Sequence, residues 1–147
     1  MDTEELMEYV RQANGVVAPK DLFLQVPIEF IRNSQYTPNE KTLFLTLWTY
    51  GIGSRTVYPS QSRLAKQMGT TTKTIRSILQ KLEEKGGVYI VQQYIEGTNE
   101  KTSNLYFLSE INKDGEFKKG YFDMVKIRFS EKKNIIQKAT KQPRQLT

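Results

Sequence analysis

YPSQSRLAKQMGTTTKTIRSILQKLEEKGGVYIV, residues 58–91, is the stretch on which the reading of the fold turns. Ser60 follows Pro59 and suits a helix N-cap, Leu64, Ala65 and Met68 recur at helical spacing, and Gly69 ends the run. Thr71 caps a second helix at once, and Ile75, Ile78, Leu79 and Leu82 line one face of it until Gly86-Gly87. Two helices separated by so few residues must cross steeply, which calls for a small side chain at the crossing (Ala65) and a left-handed turn residue (Gly69). VYIVQQYI (88–95) and NLYFL (104–108) then read as strands around the polar loop EGTNEKTS, so a hairpin follows the helix pair.

Upstream, Thr37-Pro38-Asn39-Glu40 is a capping box with proline at the first helical position. The helix it opens runs through Tyr50, with Leu43, Leu47 and Tyr50 inward, Phe44 and Trp48 flanking them, and Gly51 to Gly53 at its end. Leu22 to Val26 reads as a further strand that stops at Pro27, before a short helical turn through Glu29-Phe30-Ile31. Residues 2–13 form an acidic helix capped by Asp2 and Glu5, carrying Leu6, Val10 and Ala13, and closed by Asn14-Gly15. So short and weakly apolar an arm is either marginal or docked on a partner.

Helix, helix, short turn, helix, hairpin is the element order of a winged helix-turn-helix. Residues 58–91 closely resemble the winged-helix domains of plasmid and phage replication initiators and replisome organisers from low-GC Gram-positive bacteria. They are also similar to the DNA-binding domains of GntR- and MarR-type regulators. The lead-in VPIEFIRNSQYTPNEKTLFLTLWTYG (26–51) looks more like the replication proteins, and the similarity spans about residues 22–108. It implies an α+β fold, a three-helix core with a β-hairpin wing, to which the residues outside the similarity add a short N-terminal helix and a basic C-terminal extension. The boundaries expected are an acidic helical arm at 1–20, the DNA-binding domain at 21–110 and a basic, partly disordered extension at 111–147. Two departures are that the wing loop sets only Lys101 against Glu96 and Glu100, and that the acidic arm at residues 2–8 is not part of the motif.

The chain has 147 residues and a net charge of +6, unevenly spread. Residues 41–82 hold seven cations and no acid, residues 113–147 carry a net +6, and residues 1–40 a net −4. Clustered Lys and Arg on one face are the electrostatic footprint of a polyanion partner, although a solvated basic face is the plainer alternative. With no His and no Cys there is no Cys/His zinc site, no imidazole base and no thiolate nucleophile. GTTTKT (69–74) lacks the Gly-Lys-Ser/Thr ending of a phosphate loop, and the carboxylates show no metal-loop spacing. A non-enzymatic protein without cofactor or metal is expected. The acidic start is no signal peptide and no apolar run approaches about 18 residues, so a soluble cytoplasmic protein with no membrane partner is expected.

At about 100° per residue, a helix from Thr72 that buries Ile75, Ile78, Leu79 and Leu82 turns Lys73, Arg76, Ser77 and Gln80 outward, with Thr72 and Thr74 flanking. Arg or Lys can chelate guanine O6/N7 and Gln adenine N6/N7 in the major groove, so Lys73, Arg76 and Gln80 are the candidate base readers. Ser60, Gln61, Arg63, Lys66, Thr71 and Lys101 are candidate phosphate ligands, with Arg55 a further one. Against this, Arg76 and Lys81 read equally as solvated helix residues. Tyr89, Tyr94, Tyr106, Phe107 and Trp48 read as core before they read as base-stacking platforms.

In the tail, Val125, Ile127 and Phe129 alternate with Lys126 and Arg128, which suggests another strand within 121–129. Ser130 is placed to cap a short helix carrying Ile135 and Ile136, and disorder is expected past Lys138. A DNA arm, a dimerisation element and a linker are all open roles. The function expected is sequence-specific double-stranded DNA binding in replication initiation or organisation of a plasmid, phage or mobile element. A transcriptional regulator (repressor) of such an element is the alternative, then a winged-helix protein-interaction module. Double-stranded DNA, a second copy in a homodimer, and replication proteins are the expected partners.

Overall fold

Thr37 opens the first long helix as its spacing predicts: its hydroxyl accepts from the Glu40 amide, and the Glu40 carboxylate accepts from the Thr37 amide. The computed structural model describes residues 2–5, 23–51 and 54–136. In chain order these form α1 (Ile28–Arg32), α2 (Pro38–Thr49), β1 (Thr56–Val57), α3 (Gln61–Met68) and α4 (Thr72–Glu84), then β2 (Val88–Ile95), β3 (Leu105–Leu108), α5 (Asp123–Arg128) and β4 (Lys133–Ile136). At the N-terminus Asp2 caps a helical turn by accepting from the Glu5 amide at 2.8 Å, while the rest of the acidic helix expected over 2–13 lies outside the described residues.

The strands form one sheet in the order β1-β3-β2-β4. β3 is antiparallel to both neighbours, with Val57 opposite Tyr106 and Ile90 opposite Tyr106, whereas β4 runs parallel to β2, with Gln92 opposite Lys133 and Tyr94 opposite Ile135. On one face of the sheet, Phe30, Leu43, Phe44, Leu47, Leu64, Ile75 and Leu82 are completely buried with Tyr106 and Leu108. At about 1.5–3 kcal/mol per buried large apolar side chain this is the main source of stability. On the opposite face a second cluster joins Tyr89 and Val91 to Phe122, with Phe107, Val125 and Phe129 packed against it. Helices α1 to α4 on one side and α5 on the other therefore sandwich the hairpin. The arrangement is α+β, helices on a small mixed sheet, and it fits a winged helix in general form.

Three expected elements differ. Residues 23–27 are not a strand; the third strand is Thr56–Val57, which takes the free edge of β3, while β4 takes that of β2. Both edges of the hairpin are thus occupied, and Val26 instead packs on the core. Within 121–129 the chain is helical, because Phe122, Val125 and Phe129 fall on one face at a period near 3.6 and bury against the sheet, leaving Met124 and Ile127 outside. Ile135 and Ile136, expected on a helix, lie on β4, where the Gln92 amide donates to the Lys132 carbonyl and the Glu96 amide to the Ile136 carbonyl, both at 2.8 Å. Paired β-branched residues suit a pleated edge better than a helix. The segment past Lys138 lies outside the described residues.

Candidate nucleic-acid interface

α3 and α4 are built as their sequence dictates. Ser60 accepts from the Arg63 amide at 3.1 Å and Thr71 from the Thr74 amide at 3.2 Å, so a hydroxyl caps each helix. Between them Gly69 sits at φ 66°, ψ 40°, and the Thr70 amide donates to the Ala65 carbonyl at 2.9 Å. No acid stands in the first turn of either helix to compete with an incoming anion for the exposed amides.

The inward face of α4 is Ile75, Ile78, Leu79 and Leu82, all buried. Its outward face is Lys73, Arg76, Ser77 and Gln80, all exposed, with half-buried Thr72 and Thr74 beside them. Burial of one face therefore fixes which side chains the other presents. Arg76 Nε donates to Gln61 Oε1 at 3.0 Å, which ties the first residue of α3 to the middle of α4 and aligns the guanidinium. Ser60, Arg63, Lys66 and Thr71 are exposed on or beside α3 and the turn. The structure thus gathers twelve of the sequence-predicted residues on the helix pair and hairpin, Lys101 among them near the hairpin loop, opposite Tyr94. Arg55 stands apart: half-buried, it donates to the Ser109 carbonyl at 3.0 Å and lies 5.0 Å above the Trp48 ring, so its charge fastens β1 to the end of the hairpin.

Residues 37–87 match the family model of a helix-turn-helix domain. The match begins at the cap of α2, takes in α3 and α4, and ends at Gly87, one residue before β2. No curated protein and no solved structure matches the chain. A helix-turn-helix domain points to DNA as the partner. In this one the two helices and their turn are the parts where the acid-free basic run and the exposed polar face coincide. The described residues contain no helix long and apolar enough to cross a membrane.

Several residues at the interface are not among those singled out from sequence. A cleft of about 380 Å³ separates α4 from the sheet, walled by Arg76, Gln80, Gln92, Asn104 and Lys132. Tyr106 lies buried, its hydroxyl without a hydrogen-bond partner among the described residues, and burial pushes its phenol up. Lys132 pairs with Glu83 at 2.6 Å, and the second oxygen of Glu83 accepts from the Ile90 amide at 2.8 Å, so this ammonium holds the extension to α4. No local pattern could have placed Gln92 and Lys133 together, because parallel pairing joins segments about forty residues apart. Of the aromatics read as core, Tyr89 and Tyr106 are buried, Phe107 and Trp48 half-buried against the two clusters, and Tyr94 half-buried on the open part of the sheet.

Proposed function

We propose that the chain is a sequence-specific double-stranded DNA-binding protein that acts in replication initiation or organisation on a plasmid, phage or other mobile element, and that it is not an enzyme. The observation that carries the DNA contact is the two-sided character of α4: four apolar residues anchor it, and Lys73, Arg76, Ser77 and Gln80 form a free polar face on an element without an acid in its first turn. Such a helix suits the major groove, with Lys73, Arg76 and Gln80 at base edges. Ser60, Gln61, Arg63, Lys66 and Thr71 are placed to hold the flanking phosphates, assisted by the amides at the two helix N-termini. Replication ranks ahead of transcription control because of the lead-in at 26–51, which resembles replication proteins.

Footprinting on the DNA that encodes the chain, at two salt concentrations, tests the reading. Tandem sites at an origin are the expected result; a palindrome over a promoter, with half-sites about one helical turn apart, would make the protein a dimeric regulator instead. Arg76→Ala is expected to cost about 1–3 kcal/mol and to relax preference at one base step. Equal weakening on every sequence would make Arg76 a phosphate ligand.

A further inference from the structure

The hairpin of this protein is an unpromising DNA contact by itself, since its loop carries Glu96 and Glu100. The strand that follows it changes the chemistry. β4 lies parallel to β2, so Lys133 stands opposite Gln92 and on the same face, the face turned toward α4. Tyr94 shares that face, and its hydroxyl donates to Gln92 Oε1 at 2.7 Å. Lys101, in the hairpin loop, forms an isolated antiparallel bridge with Tyr94. Two ammonium groups therefore flank one ring, one from each side of β2: Lys101 Nζ is 5.9 Å and Lys133 Nζ 5.7 Å from the centre of Tyr94.

Each contact with the ring is weak, about 0.5–1 kcal/mol for an exposed cation, and the two like charges repel. Among the described residues neither ammonium pairs with a carboxylate, whereas Lys85, Lys118 and Lys132 do. Two cations set on either side of a ring, neither of them paired with a carboxylate, suit a polyanion whose phosphates recur along a backbone. The pair also borders the Gln92 wall of the cleft whose opposite wall is Arg76 and Gln80. An anion held there lies along the flank of the α4 polar face.

The geometry points to a second nucleic-acid contact: Lys101 and Lys133, levelled by the Tyr94 ring, bind the phosphate backbone of the duplex beside the segment met by α4. This contact rests on the DNA-binding reading above and extends it, since Lys133 belongs to a strand outside the helix-turn-helix match. It gives the extension a defined task, carrying on an added strand the positive charge that the hairpin loop lacks.

The test uses the full chain, the duplex found by footprinting and a scrambled duplex of equal length. Lys101→Gln/Lys133→Gln is compared with Lys113→Gln/Lys119→Gln, which removes the same charge from exposed positions elsewhere. Loss of two phosphate contacts flattens the slope of log affinity against log salt by about 1.8, so the advantage of wild type should shrink about 12-fold between 50 and 200 mM salt. Both duplexes should weaken by the same factor, leaving the specificity ratio intact, and Lys101→Arg/Lys133→Arg should keep wild-type slope. Equal slopes for the two Gln pairs would mean a general field and overturn the site. So would an unchanged slope; if self-association were lost alongside it in the Lys101/Lys133 variant, the surface would be a protein contact. A wild-type chain that binds neither duplex defeats the DNA-binding reading itself, a result distinct from wild-type binding that is indifferent to this pair.

Discussion

Glu40 keeps a charge at 4% exposure, and three groups make that tolerable. Burial pushes its carboxyl up, but the Lys85 ammonium at 2.5 Å and the Thr37 amide and hydroxyl outweigh burial and hold it below the ordinary value of 4.5. The unfolded chain therefore takes up this proton first as pH falls. Its contribution to stability is complete above the unfolded-state value and is lost progressively as pH drops from there through the folded-state value. Glu40→Gln keeps an acceptor for the cap and removes the charge, so its unfolding free energy should be lower at neutral pH yet fall less steeply below about pH 5 than that of wild type. Urea melts at pH 7, 5 and 3 read this directly, and parallel pH profiles would separate the carboxylate from acid stability. Two glycines make a second contrast at this scale. Gly69 has φ 66° with nothing within 4 Å of an added Cβ, so Gly69→Ala costs only the left-handed backbone, about 1–2 kcal/mol. Gly87 has an ordinary φ, but a Cβ there would lie 2.5 Å from the Phe117 ring. That ring is wedged between Tyr36 and Phe44 at 4.5 and 4.8 Å and cannot swing aside, so overpacking makes Gly87→Ala the more damaging of the two in the same melts.

Elements legible in the sequence are those whose signals are local. α2, α3 and α4 each announce a cap, an apolar stripe and, for α3, a glycine stop, and all three form with the caps in place. The polar face of α4 follows from the same stripe, since fixing one side of a helix fixes the other. What local pattern could not supply is pairing. Thr56–Val57 is too short for any alternation to show, and it is a strand only because β3 offers an open edge. In 121–129 two periods compete, residues 125, 127 and 129 for a strand and 122, 125 and 129 for a helix. The sheet face already built by Tyr89, Val91 and Phe107 decides between them by burying Phe122, Val125 and Phe129. The Lys101–Tyr94–Lys133 group depends on the same long-range pairing, which is why Lys133 could not be singled out beforehand.

Across the whole molecule, the segment after the hairpin is bound into the core at several points, unlike a loose tail. Phe117 packs on Phe30, Tyr36 and Phe44, and its amide donates to the Tyr36 hydroxyl at 3.0 Å in a buried setting. Asn33 donates to the Gly115 carbonyl at 3.0 Å, closing the chain back onto α1. A domain ending near residue 110 would leave the cavity of Phe117 open at the centre of an aromatic cluster. Filling or emptying a site of that size is worth about 3–5 kcal/mol, a large part of the 5–15 kcal/mol that holds a typical domain together. Phe117→Ala should accordingly lose about 3–5 kcal/mol in denaturant melts, with Trp48 fluorescence and helical circular dichroism reporting one shared transition. A chain cut after residue 112 should be unfolded or close to its midpoint at 25 °C. If the cut at 112 left the transition where it was, residues 113–136 would be an appendage, and the second DNA contact would then be free to move relative to α4 instead of being fixed beside it.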